Sequence, residues 1–147
     1  ASTSAAFAAL KLDGSVVTWG NPRFGGASQE TLHNVQHVVG STTAFCALKT
    51  DGSLAAWGEP NEGGVLPPGL GKTLSLSASY ASFCAIQDDH SAISWGISAS
   101  TEHLPGMTCV YPAGRHWVAL GEQKTLQAWG AGAPDLELLT GEVSYTE

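Results

Sequence analysis

The sequence predicts an all-β fold built from four tandem three-stranded units. Three observations carry that prediction. One pattern of seventeen residues recurs four times. Each copy reads as two short apolar runs around a turn. The first of those runs is apolar on both faces, so each unit needs protein on either side, as stacked blades provide.

The repeat is legible without gaps. Ser4–Gly20 reads SAAFAALKLDGSVVTWG, and Thr42–Gly58 reads TTAFCALKTDGSLAAWG. Tyr80–Gly96 reads YASFCAIQDDHSAISWG, and Gly114–Gly130 reads GRHWVALGEQKTLQAWG. The closing tryptophans, Trp19, Trp57, Trp95 and Trp129, are spaced by 38, 38 and 34 residues. Repeat units of about 4–41, 42–79, 80–113 and 114–147 account for one domain spanning 1–147. The linkers Asn21–Gly26 (NPRFGG) and Glu59–Gly64 (EPNEGG) also align.

Each unit reads as three strands. The first is the end of the preceding linker: Val35–Gly40, Thr73–Ala78, Met107–Tyr111 and, with no repeat after it, Glu142–Thr146. The second is of the Phe7–Lys11 type and the third of the Ser15–Trp19 type. Asp13-Gly14 and Asp51-Gly52 join these two, and Asp-Gly between apolar runs signals a two-residue hairpin, because Gly14 and Gly52 reach positive φ cheaply. Asp89-His90 and Gln123-Lys124 replace that pair later, so those hairpins carry strain or use another turn. On the second strand, one face carries Phe7, Phe45, Phe83 and Trp117, then Ala9, Ala47, Ala85 and Ala119. The unvarying alanines imply close approach of a neighbouring unit. The opposite face carries Ala8, Cys46, Cys84 and Val118.

Composition excludes several functions. Lys+Arg is 6 against 13 Asp+Glu, a net charge of −7, which disfavours binding to phosphate backbones or anionic membranes. Five Trp, four Phe and three Tyr argue against disorder. The longest stretch without charge, Thr73–Gln87, is interrupted by Ser and Thr, so no transmembrane segment is expected. Three Cys cannot form a complete disulfide framework, and Cys46 and Cys84 read as free thiols in a packed core. The first residue is Ala rather than Met, which suggests a processed or trimmed N-terminus.

The FAALK-DGSVVTWG wording followed by a Gly-Gly loop resembles the repeat of the regulator of chromosome condensation family. The resemblance runs at repeat level over residues 4–147. It implies a β-propeller, in that family usually of seven blades with units near fifty residues. This chain departs with four shorter units. The expected arrangement is therefore a small propeller-like closed ring, with Glu142–Thr146 completing the first unit. An open β-solenoid is the alternative. Family functions include guanine nucleotide exchange, docking inside ubiquitin ligases and inhibition of other proteins. What they share is a rigid loop face that binds protein. Exchange activity does not carry over, because the short connections offer no counterpart of the loops it needs. Similar wording in repeats of photosynthetic protists implies a plastid or thylakoid-associated location.

No activated nucleophile, phosphate loop or dinucleotide fingerprint is present, and no cofactor is implied. Asp13, Asp51 and Asp89 recur at one position, but as turn residues. His33 and His37 would need another ligand to hold a metal. The four repeated Trp could stack sugars, but polar partners do not recur beside them. With only 13% charged residues, the exterior suits a chain covered by partners. Non-repeating loop residues are the candidate contacts: Arg23, Phe24, Val65, Leu66, Leu70, Ile97, Leu104, Leu136 and Leu138. The sequence thus reads as a non-catalytic interaction or scaffold domain, an accessory subunit of a larger assembly such as a photosystem. A small carbohydrate-binding module is the alternative.

Overall fold

The computed structural model describes residues 1–27, 32–97, 105–113, 116–121 and 126–130. These residues form four small antiparallel sheets. The first pairs β1 (Ala6–Leu10) with β2 (Val16–Gly20). The second holds β3 (Val35–Gly40), β4 (Ala44–Lys49) and β5 (Leu54–Gly58). The third holds β6 (Thr73–Ala78), β7 (Ser82–Gln87) and β8 (Ala92–Gly96). The fourth holds β9 (Met107–Ala113), β10 (His116–Gly121) and β11 (Leu126–Gly130). In each three-stranded sheet the strand that is apolar on both faces lies in the middle. Its aromatic residue faces the repeated tryptophan directly: Phe7 opposite Trp19, Phe45 opposite Trp57, Phe83 opposite Trp95 and Trp117 opposite Trp129.

The sheets stack front to back. Ala6, Ala8 and Val16 of the first sheet pack against Phe45, Ala47 and Trp57 of the second. Ala44, Cys46 and Leu48 meet Phe83, Ala85 and Trp95 of the third. Cys84 and Ala92 meet Trp117 and Ala119 of the fourth. Ala47, Ala85 and Ala119 are fully buried at these contacts, where a larger side chain would overpack the interface.

Backbone hydrogen bonds fix the stack at both ends of the sheets. At one end, Ser4 N–H donates to the Thr42 carbonyl (2.8 Å) and Thr42 N–H to that of Tyr80 (2.9 Å). At the other, each hairpin turn accepts the first N–H of the next sheet: Val35 to Gly14 (2.9 Å), Thr73 to Gly52 (2.9 Å) and Met107 to His90 (2.7 Å). Buried backbone polar groups need such partners, and here the partners sit on neighbouring units.

The hairpin turns differ from the two-residue form expected of Asp-Gly. Gly14 N–H donates to Lys11 and Lys11 N–H to Ser15, so the loop is Leu12-Asp13-Gly14. This is a three-residue loop, a type I turn followed by a left-handed residue. The Asp is not the first turn residue but a clasp: Asp13 Oδ1 accepts from Ser15 N–H (3.0 Å) and Oγ (2.6 Å). Asp51 with Ser53 and Asp89 with Ser91 repeat it. These serine bonds hold the carboxyls of Asp13 and Asp51 below their ordinary value of 3.8. Asp89-His90 uses the same turn, with His90 at φ 63 where Gly14 has 83 and Gly52 has 86. Its departure from Asp-Gly therefore costs backbone strain rather than changing the turn. The Gln123-Lys124 turn lies outside the described residues.

Ring closure is not shown among the described residues, and Glu142–Thr146 lies outside them. The place beside β1 intended for that strand is already partly held. The Ala1 ammonium donates to the Ala8 carbonyl (2.9 Å), Ala8 N–H donates to Ala1 (3.0 Å), and Ser2 bridges Phe7. In the second sheet Val39 and Gly40 hold those positions, opposite Cys46 and Phe45.

A left-handed residue other than glycine costs about 1–2 kcal/mol, and the His90 side chain is exposed. His90→Gly is therefore expected to stabilise the chain by up to about 1 kcal/mol after the added unfolded-state entropy. Gly14→His should destabilise it comparably. Urea unfolding of both variants checks the pair; equal midpoints would refute the strain.

Candidate functional site

The repeated tryptophans are structural locks between units. After β2, the 3-10 turn Pro22–Phe24 leads into Gly25 in the left-handed region (φ 92). Gly25 lies over the Phe45 ring, and a Cβ there would come within 2.5 Å of it. The Gly25 carbonyl then accepts from Trp57 Nε1 at 3.1 Å. The next interface repeats this. The turn Pro60–Glu62 leads into Gly63 (φ 105), which meets Phe83, and its carbonyl accepts from Trp95 Nε1 at 3.2 Å. Phe45–Trp57 and Phe83–Trp95 ring centroids lie 5.4 and 5.7 Å apart. The third interface uses other acceptors: Trp117 Nε1 donates to Ser82 Oγ (3.0 Å) and Trp129 Nε1 to Ser94 Oγ (2.9 Å).

This arrangement removes the open set of tryptophans that sugar stacking needs. Trp57 and Trp95 are buried with their indole N–H groups engaged inside the protein, and Trp129 is half-buried with its own engaged. Trp19 differs, being 51% exposed and stacked on Phe7 at 5.6 Å.

Among the described residues, clefts open between the loops at the Trp-Gly end of the sheets, two of which bear on the candidate contacts. The larger, about 600 Å³, is lined by Pro22, Ala27, Leu32, Ala55, Ala56, Trp57, Gly58, Pro60, Gly64, Val65 and Leu66, none of them titratable. The smaller, about 250 Å³, is lined by Thr42, Thr43, Glu62, Tyr80, Ala81 and Ile97, with Thr43 Oγ1 hydrogen-bonded to Glu62. Arg23 Nε bridges the loops to Glu59 at 3.0 Å and its guanidinium sits 6.0 Å from the Phe24 ring centroid.

The sequence-predicted contacts separate on this face. Val65 and Ile97 are exposed beside the clefts. Arg23 is exposed within its ion pair, and Phe24 is half-buried. Leu66 and Leu70 pack partly buried against the core between the second and third sheets. Leu66 also lines the larger cleft. Leu104, Leu136 and Leu138 lie outside the described residues. His33 and His37 are both exposed, and among the described residues no three His, Cys, Asp or Glu come together. Cys46, Cys84 and Cys109 are free thiols. Burial pushes the Cys46 thiol far up and that of Cys84 up to about 12, so neither is a nucleophile near neutral pH.

No family model matches the chain, and no curated protein matches its sequence. Solved structures do match its fold. The ectodomain of the Physcomitrella patens receptor kinase CR4 aligns with TM-score 0.63 at 23% identity, over 90% of this chain and 38% of that one. A structure of Kap60 bound to yeast RCC1 (Prp20) aligns with TM-score 0.62 at 15% identity, over 87% and 40%. Human WBSCR16 aligns with TM-score 0.61 at 17% identity, over 88% and 46%. The fold is that of RCC1-like β-propeller repeats. The chain spans less than half the length of each of these three structures.

Within the RCC1-like repeat, sequence reasoning missed the acceptors of the indole N–H groups. The Gly-Gly linkers were visible but had no assigned role. Ser82 and Ser94 stand where the second unit has Ala44 and Ala56, and a hydroxyl replacing an interface alanine was the available signal.

Trp57→Phe removes one buried hydrogen bond and leaves a carbonyl unpaired, so it should lower unfolding stability by about 1–3 kcal/mol. Gly63→Ala combines left-handed strain with overpacking on Phe83 and should cost about 2–5 kcal/mol. Trp19→Phe should change stability by no more than about 0.5 kcal/mol. Chemical denaturation ranks the three; a Trp19 variant as damaging as that at Trp57 would contradict the assignment.

Proposed function

We propose that this chain is a non-catalytic protein-interaction scaffold, a run of RCC1-like blades whose loop face receives another protein. The observation that carries the reading is the larger cleft beside Val65. Its described lining side chains are mostly apolar, none of them is titratable, and it is roomy enough for side chains from a partner. Such a cleft suits an anchoring apolar residue, with Arg23 and Glu59 supplying a polar rim. The rigidity of the stack favours this use, because loops held on fixed sheets bind with little ordering cost. The low charged fraction of 13% suits a chain whose surface is partly covered by another protein. Neither the fold nor the similar structures favours a photosynthetic host, so the proposal extends to a protein partner and no further.

The test is affinity capture of the tagged chain from its native source. Val65→Asp and Ile97→Asp are compared with the unaltered chain, and circular dichroism confirms that each variant is folded. The expected result is one recurrent partner retained by the unaltered chain and reduced at least about tenfold by the variants, equivalent to roughly 1.4 kcal/mol. A monodisperse 15 kDa species with no partner, or capture unaffected by either variant, would overturn the proposal.

A further inference from the structure

The larger cleft runs along the edge of a strand. It touches Ala55, Ala56, Trp57 and Gly58, consecutive residues of β5. Successive side chains of a strand point to opposite faces, so a space that reaches all of them lies beside the strand rather than over one face. β5 is the outer strand of its sheet, paired with β4 on one side. The ladder fixes which of its main-chain groups look outward. Lys49 N–H donates to Ser53 near the turn, and Glu59 N–H donates to Thr43 at the far end. With the register between them, Ala55 and Trp57 bond to β4, while Leu54 and Ala56 turn their N–H and C=O groups the other way. Among the described residues, no main-chain hydrogen bond reaches these outward groups.

The third sheet shows the same edge filled. Ala92, Ile93, Ser94 and Trp95 of β8 are buried, whereas Leu54, Ala55 and Ala56 of β5 are half-buried. Ile93, 1% exposed, stands where the second sheet has Ala55. Ser94 takes the Trp129 indole N–H, and Ala56 at the matching position has no hydroxyl to do so. The volume that β5 lacks is therefore that of a branched aliphatic side chain. The cleft is continuous with two established interfaces. Leu32, Ala55 and Trp57 belong to the packing of the first sheet on the second, and Ala56 and Leu66 to that of the second on the third. An aliphatic side chain entering between them extends both cores. On the flanking loops Glu59 and Glu62 outnumber Arg23, and the chain carries a net charge of −7, so the complementary segment is cationic beside its apolar residue.

We propose that this cleft binds an extended segment of a partner protein by strand addition. The segment pairs with the outward main-chain groups of Ala56, places a branched aliphatic side chain against Ala55, and carries a Lys or Arg beside it. The proposal rests on the reading of the cleft as a protein-docking site and adds the mode of recognition. An open strand edge supplies main-chain hydrogen bonds, and the apolar lining selects the side chain.

A random dodecapeptide library selected on the full chain, with the Val65→Asp chain as counter-selection, supplies the probe. The enriched peptides should carry Val or Ile beside Lys or Arg. When such a peptide binds, exchange of the Ala56 amide N–H should slow roughly tenfold or more. Ala56→Pro removes the outward donor without touching the ladder to β4, a substitution that edge strands accept. It should weaken the selected peptide about tenfold, the effect of one lost hydrogen bond. Ala55→Ile puts into the cleft the side chain that the third sheet already carries, and should weaken binding at least as much. Circular dichroism confirms that each variant is folded, and Ala55→Ile carries the test alone if Ala56→Pro does not fold. No enrichment, enrichment of acidic peptides, or unchanged Ala56 exchange in the complex would overturn the proposal. Full binding by the folded variants would also overturn it. If Val65→Asp releases the partner captured from the native source while Ala56→Pro and Ala55→Ile retain it, strand addition fails and the cleft reading stands. Capture unaffected by Val65→Asp is the separate failure of the cleft reading.

Discussion

The structure depends on one contact made between consecutive sheets. A left-handed glycine lies flat on a phenylalanine ring and gives its carbonyl to the indole paired across the hairpin. A hairpin pair of this size is marginal alone in water. The units gain stability by burying the Phe–Ala column of one against the back of the next. The glycine contact sets how that burial is aimed, because it satisfies the one strong donor the buried tryptophan brings. Main-chain bonds from Ser4 to Thr42 to Tyr80, and from each hairpin turn to the next first strand, then hold both ends in place.

Much of this was legible in the sequence. The 38-residue period, the strand ranges Val35–Gly40 and Thr73–Ala78, and the two-sided apolar middle strand all follow from patterns that depend on local chain periodicity. The turn type was not. Asp-Gly is compatible with two-residue and three-residue loops, and the choice rests on where Lys11 and Ser15 pair. The role of Asp was missed for the same reason, since its bond to Ser15 exists only once the loop is three residues long.

The candidate site was less legible than the fold. Exposure of a loop leucine depends on which way the loop folds over the next sheet, and sequence alone does not encode that at single positions. Val65 and Leu66 are neighbours in the chain, yet one is exposed and the other packs against the core. The repeated tryptophans showed the converse problem. Their spacing marked them as equivalent, but Trp19 is half exposed where Trp57 and Trp95 are buried, and only packing reveals that difference.

The central claim is that the tryptophans lock successive units through their indole N–H groups. Hydrogen exchange of the five indole N–H groups in the unaltered chain tests it most directly. Trp57 and Trp95, bonded to glycine carbonyls in buried interfaces, should exchange slowly, while Trp19 exchanges close to the rate of an exposed indole. Uniform exchange at all five positions, or rapid exchange at Trp57 and Trp95, would contradict the account.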